Sequence, residues 1–246
     1  MTRRGGPRRF RTGDPVSIAV GLWPVLEALR HRPSAVASVA WHPDLPEDDR
    51  ERLIAASTAA GAPASEDAVR VERARRTGTA LVVAAVRRPA DALAAAEDHL
   101  VLLRPAHPGN VGAALRTALG FGVRDVALID PRVDPWSPHV LRASQGAAFA
   151  VRHATWSDWR AYRRAHPRHA VLAFTPPARG ARPLADVAPP VPAAWTFGPE
   201  GGGFPSDALV DAARVTIPQD PDLESHNLAV AVGVALYARA LARGVA

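Results

Sequence analysis

Apolar positions in the first third of the chain change period several times. Leu22, Val25, Leu26 and Leu29 recur at the spacing of a helix that buries one face, and His31–Pro33 stops it. Ala35–Trp41 alternates as a strand does, Glu47–Ala60 reads as a second helix closed by Gly61, and Thr79–Val86 is a Val-rich run of the buried-strand type. Arg87-Arg88-Pro89 breaks the pattern and places a domain boundary there, and the Ala/Asp/Glu stretch to Asp98 reads as a short connecting helix.

From His99 a stricter alternation of strand and helix begins. Strands are expected at Leu100–Leu103, Asp125–Ile129, Ala170–Phe174, Ala194–Phe197 and Arg214–Ile217. Helices are expected at Val111–Leu119, His139–Ala148, Ser157–Ala165, Ser206–Ala212 and His226–Arg243. That order predicts an α/β fold whose sheet is mostly parallel and covered by helices on both faces. In the last helix Leu228, Val230, Val232, Val234, Leu236 and Tyr237 cannot share one face, so it must be covered on several sides, in a core or at a subunit interface.

Composition narrows the function classes. With 246 residues, 48% of them hydrophobic, the chain can bury one large core or two modest ones. The absence of Cys excludes disulfide frameworks, thiolate metal sites and thiol nucleophiles. Thr79–Val86 and Leu228–Leu236 are each under half of the roughly 20 apolar residues that span a bilayer. The Arg-rich N-terminus has no apolar segment behind it, so no secretory signal is expected, and the expected location is the cytoplasm. All 30 basic residues are Arg, and the formal net charge is +6, an excess of fork-shaped donors that suits phosphate. Residues 1–14, with Arg3, Arg4, Arg8, Arg9 and Arg11 and no acid before Asp14, read as a flexible basic arm.

Three loops that follow predicted strands are unusual, and the carboxyl ends of strands are where open α/β sheets bind ligands. The first, His107–Ala118, offers Asn110 as a helix cap, a bare first turn at Gly112-Ala113-Ala114, and Arg116 among Ala and Leu. The second, Trp195–Phe204, combines four glycines with Glu200 and exposes backbone groups to a polar ligand; it matches neither the P-loop nor the dinucleotide-binding fingerprint. The third, Ile217–Leu228, feeds Ser225 and Asn227 into the start of the apolar helix, where either can cap it. His166-x-x-His169 lacks the glutamate of an HExxH zinc site and reads as surface charge.

Taken in order, N-x-G-x-x-x-R (Asn110, Gly112, Arg116), G-P-E-G-x-G (Gly198 to Gly203) and I-P…S-x-N (Ile217, Pro218, Ser225, Asn227) resemble the three motifs of the SpoU/TrmH family of RNA ribose 2′-O-methyltransferases, of the SPOUT class. Arg142–Ala147 resembles the family's R-A-S-x-G-A segment. The likeness covers about residues 99–246, and residues 15–88 are similar to the small L30e-like substrate-binding domain that many members carry in front, with 89–98 as a linker. One departure is His226 where S-L-N is common.

The resemblance implies a carboxy-terminal deep trefoil knot, S-adenosylmethionine as cofactor, structured RNA as substrate, and a homodimer whose active site spans the interface. No metal is required by that chemistry. Arg116, Asn110, Glu200, Ser225 and Asn227 are the implied catalytic positions. Thr196, Phe197, Gly198, Glu200, Gly201, Ile217, Pro218, Leu223, Ser225, Asn227 and Leu228 are those implied for the cofactor. A guanidinium is a permanent cation, so Arg116 is expected to neutralise charge developing on the ribose oxygen rather than act as base. RNA phosphates are expected to meet the arm, Arg116, Arg142 and the run at Arg70–Arg76. rRNA is the expected substrate, with tRNA as the alternative. A non-catalytic RNA-binding protein of the same fold, or a Rossmann-type nucleotide enzyme, are the readings from other classes.

Overall fold

A computed structural model describes residues 13–75, 78–177, 180–199, 203–205 and 210–244. The expected arm residues Arg3, Arg4, Arg8, Arg9 and Arg11, together with Arg76, Glu200, Gly201 and Gly202, lie outside the described residues. In chain order the elements are β1 (Val16–Val20), α1 (Leu22–His31), β2 (Val36–Trp41), α2 (Glu47–Ala59), β3 (Ala64–Glu66), α3 (Ala68–Arg75), β4 (Val82–Arg87), β5 (His99–Leu103), α4 (Pro108–Gly120) and β6 (Asp125–Ile129). There follow α5 (Pro138–Ala143), α6 (Ala147–Ala150), β7 (Arg152–Trp156), α7 (Trp159–Ala165), β8 (Ala170–Phe174), β9 (Arg182–Pro183), β10 (Ala193–Phe197), β11 (Ala212–Thr216) and α8 (Leu228–Ala242). No helix among the described residues is long and apolar enough to cross a membrane.

The chain forms two compact units. The first carries a four-stranded sheet in the order β1-β4-β2-β3, with β4 antiparallel to both neighbours and β3 parallel to β2. β4 owes its central place to Val82, Val83, Ala84 and Val86, all buried. The pattern did not predict β1, β3 or α3; β1 interrupts its apolar run with Ser17, which is buried because its hydroxyl donates to the Trp136 carbonyl.

The chain divides after Pro89, but Asp134–Ala150 belongs to the first unit and not to the carboxy-terminal domain expected at 99–246. Asp134 receives Arg88 at 2.7 Å, and Arg32 Nε donates to the Phe149 carbonyl at 2.9 Å. The single helix expected at His139–Ala148 is broken by Gln145 and Gly146, at φ 51° and 85°. A Cβ on Gly146 would lie 2.7 Å from Glu27 Cβ and 3.0 Å from Pro24 Cα, so only glycine lets this turn rest on α1.

The second unit holds a seven-stranded sheet in the order β7-β6-β5-β10-β8-β11-β9, and every pairing in it is parallel. β5, β6 and β10 are buried along their whole lengths, as expected of strands covered on both faces. Val101, Leu103, Ala127 and Ile129 form one face with Trp159 and Tyr162 of α7, and α8 packs on α4 and reaches β10. The edge strand β7, Arg-His-Ala-Thr-Trp, escaped the sequence reading because it lacks the apolar run of its neighbours. The connecting helix before Asp98 does not form. Its Ala94 N–H is taken by the Asp125 carboxylate and its Ala94 carbonyl by His99, which leaves these groups unable to serve an i to i−4 ladder. Of the helix expected at Ser206–Ala212, 206–209 lie outside the described residues and Ala212 already opens β11.

Two buried carboxylates hold this sheet's amino-terminal side. Asp125 is fully buried, paired with Arg152, whose Nε donates at 2.8 Å. Asp98 accepts from the Ala193 N–H at 2.8 Å, Arg239 Nε at 2.7 Å and Arg243 Nη2 at 3.0 Å, so one carboxylate ties β10 to the last turns of α8. Replacing it strands two half-buried guanidinium groups and one buried N–H. Asp98→Ala is expected to lower unfolding stability by about 3 kcal/mol in a urea titration, and a loss under about 1 kcal/mol would remove this carboxylate from the set of structural anchors.

Candidate active site

Parallel strands deliver their carboxyl ends to one edge, and the three unusual loops meet there. They line a cleft of about 700 Å³. The loop after β5 supplies His107 and Asn110; the turn after β10 supplies Phe197, Gly198, Pro199, Gly203 and Phe204; the loop after β11 supplies Ile217, Gln219, Glu224, Ser225, His226, Asn227 and Leu228. A fourth contributor, Phe174-Thr175-Pro176 at the end of β8, was not anticipated. It carries no motif, and its only signal was being a strand end beside β10 and β11.

A hydrogen bond joins the first and third loops. Asn227 caps α8, its Oδ1 accepting from the Ala229 N–H at 2.9 Å, which turns its Nδ2 outward to donate to Asn110 Oδ1 at 3.1 Å. The sequence expectation that Asn110 caps α4 is corrected: His107 is the N-cap residue, Pro108 occupies the first helical turn, and Asn110 sits inside the helix with its amide turned to Asn227. The start of α4 and the start of α8 are thereby clamped at the cleft mouth.

The cleft wall is aromatic. Phe174 and Phe197 stack with centroids 4.6 Å apart and an 8° interplanar angle. A Cβ on Gly198 would sit 3.0 Å from the Phe204 ring, so the glycine is what lets that ring close against the turn. Thr175 Oγ1 and His226 Nε2 are buried without a hydrogen-bond partner among the described residues, and both residues line the cleft. Polar atoms left in that condition await a ligand's partners.

Several predicted site residues are elsewhere. Thr196 is buried within β10, its hydroxyl spent on the Ala194 carbonyl at 3.0 Å. Pro218 and Leu223 are exposed and outside the lining. Arg116 is exposed on α4 and does not line the cleft of a single chain, being 120° around the helix from Asn110 at about 100° per residue. Arg142 is exposed on α5 of the first unit.

The His166-x-x-His169 pair is not surface charge. His166, His169 and His99 are buried together, their rings in contact at 4.0–5.4 Å between centroids. Burial drives the His99 pKa down to about 4, and burial holds those of His166 and His169 below the ordinary value as well. These imidazoles lie at the opening of β5 and before β8, at the edge away from the cleft.

Comparison with known proteins agrees with this geometry. The sequence profile of the SpoU rRNA Methylase family matches residues 98–237. An uncharacterized tRNA/rRNA methyltransferase of Synechocystis is 38% identical over 140 residues, 56% of this chain and 51% of that protein, so the chain spans about half of that relative's length. The tRNA (cytidine(34)-2′-O)-methyltransferase of Beijerinckia indica is 32% identical over 142 residues, 56% of this chain and 86% of that protein. The SpoU methyltransferase AviRb of Streptomyces viridochromogenes, crystallised with AdoMet, shares the fold: TM-score 0.79 over 98% of this chain and 96% of that one, at 21% identity. The profile covers more than half of the sequence, and the three loops it spans are those that build the cleft: the chain belongs to the SpoU rRNA methylase family.

Proposed function

We propose that this chain is an S-adenosylmethionine-dependent RNA methyltransferase that methylates a ribose 2′-OH, with rRNA as its substrate. The observation that carries the reading is the Asn227–Asn110 clamp, which joins two loops of a SpoU-family chain at the mouth of one cleft. The cleft suits the cofactor. Its volume of about 700 Å³ is that of a small-molecule site, its wall is aromatic, and Thr175 Oγ1 and His226 Nε2 offer unclaimed polar atoms. Phe197, Gly198, Ile217, Leu228 and the Ser225–Asn227 segment would hold it, and Glu200 and Gly201 belong to the same proposed set on the family motif. When bound, the cofactor supplies a methyl already activated by a sulfonium, so the protein's task is orientation and removal of one proton.

Arg116 provides charge to that proton loss. A guanidinium remains a cation, so it neutralises the negative charge developing on the ribose oxygen while the proton leaves to a phosphate oxygen or water. Its position outside the single-chain cleft is met by a homodimer in which a second copy completes the site. α8 supports this: Val230, Val234, Tyr237 and Leu241, spaced 4, 3 and 4 residues apart, form an apolar stripe 40–53% exposed, on the side away from buried Val232, Leu236 and Ala240. The trefoil knot belongs to the same proposal, as do phosphate contacts by the arm at Arg3, Arg4, Arg8, Arg9 and Arg11 and by Arg142. The first unit, residues 15–88 in the domain reading, would select a structured RNA by shape.

Behind the tRNA reading stand the Beijerinckia enzyme, whose name states a tRNA position, and a solved structure concerned with 2-OH methylation of C/U34 on tRNA, 34% identical over 61% of this chain. The Beijerinckia match covers 86% of that protein but only 56% of this chain, leaving more than a third of this chain without a counterpart in the aligned stretch. That surplus favours a larger RNA. Incubation with labelled methyl donor and separated rRNA and tRNA decides: label in a ribose of rRNA is expected, and label confined to tRNA or to a base overturns the substrate assignment.

Two substitutions test the mechanism. Arg116→Ala is expected to bind S-adenosylmethionine normally in calorimetry and to lose about 10²–10³-fold in turnover, and undiminished methylation would refute its role. Val234→Asp is expected to convert the dimer to monomers in sedimentation and to abolish transfer; an active monomer would show that one chain holds the whole site.

A further inference from the structure

We propose that His99, His166 and His169 form a structural site for a divalent transition ion, zinc being the ion to which the proposal commits, at the edge of the parallel sheet remote from the methyl-transfer cleft. Their ligand atoms all lie within 4.8 Å of one another, inside the second unit.

The hydrogen bonds around the cluster prepare it for metal. His99 Nε2 is 2.8 Å from the Ala94 carbonyl and His169 Nε2 is 2.8 Å from the Glu97 carbonyl. A carbonyl only accepts, so each Nε2 carries the proton and each Nδ1 is left as a lone pair. A backbone carbonyl fixing one ring nitrogen so that the other can ligate is the usual outer partner of a metal-bound imidazole. His169 Nδ1 and His166 Nδ1 are buried with no hydrogen-bond partner among the described residues, while His99 Nδ1 accepts from the Tyr162 hydroxyl at 3.0 Å. Two orphaned ring nitrogens beside a third held only by a hydroxyl are an unpaid polar cost in a core, and a shared cation removes it.

Charge also suits an ion. Two buried carboxylates, Asp98 directly before His99 and Asp125 paired with it in register on β6, favour positive charge there. Arg163 opposes it, but its guanidinium is engaged with the carbonyls of His166, Pro167 and His169, which pins the loop that carries two of the ligands. Three nitrogens on a tetrahedral zinc stand about 3.3 Å apart for Zn–N bonds of about 2.0–2.1 Å, so the rings must close inward and Tyr162 must release His99. Ala194 of β10 pairs with His99 of β5 and Ala193 with Ala170 of β8, so the ion would brace two strands that β10 separates.

The test uses the full chain without a polyhistidine tag, stripped with chelator and titrated with zinc alone by calorimetry, and with cobalt(II) for its visible spectrum. One ion per chain, the ligand-field bands of a nitrogen-ligated four- or five-coordinate cobalt, and a raised Tm are expected. The double variant His166→Gln/His169→Gln is expected to lose at least about tenfold in affinity, and His139→Gln, at an exposed histidine of the first unit, to lose nothing. If the double variant fails to fold, ¹⁵N-histidine NMR of the unsubstituted chain decides: of the nine imidazoles zinc must shift those of His99, His166 and His169 and leave His153, also buried, in place. No saturable zinc, affinity unchanged in a folded double variant, or shifts confined to histidines outside the cluster would overturn the proposal and leave the lone pairs to water. None of these readouts depends on methyl transfer, so the site stands or falls apart from the enzymatic reading.

Discussion

A sheet whose strands all run one way sorts its ends. Every carboxyl end of the seven-stranded sheet arrives at one edge and every amino end at the other, and the chemistry of this chain divides accordingly. The carboxyl edge collects the loops after β5, β8, β10 and β11 into a cleft with aromatic walls. The amino edge collects Asp98, Asp125 and the imidazoles of His99, His166 and His169. Neither group is near in sequence; parallel pairing brings each together.

α8 links the two edges. Its first turn is capped by Asn227, which also holds Asn110 at the cleft, and its last turns place Arg239 and Arg243 on Asp98 at the opposite edge. The helix is therefore fixed at both ends by polar contacts while Leu228, Val232, Leu236 and Ala240 pack inward. What remains outward is the stripe from Val230 to Leu241, too apolar and too continuous to be ordinary surface. A helix anchored in this way presents that stripe at a fixed orientation, as the proposed contact with a second copy requires.

Much of the second unit was legible from local pattern. β5, β6, β8 and β10 are continuous apolar runs because strands buried on both faces have no polar side to show, and their bounds agree with the sequence reading to within a residue. β7 and the first unit's β1 were missed because an edge strand and a strand with a buried serine give no such run; their stability comes from partners far along the chain. The connecting helix failed for the same reason in reverse. Alanine favours helix locally, but Asp125 and His99 claim the backbone groups of Ala94.

The amino-acid sequence by itself determined the strand and helix order, the parallel class of the sheet, and the three loops that form the cleft, since these rest on periodicity and on residue types that only particular turns accept. Tertiary structure alone decided that Asn227, not a residue of α4, clamps Asn110; that Asp134–Ala150 returns to the first unit through a glycine fitted against α1; and that His166 and His169 are buried beside His99. Each depends on which distant groups share a low-dielectric space. A histidine's charge, an amide's partner and a turn's clearance are set there, by neighbours far along the chain that no local window contains.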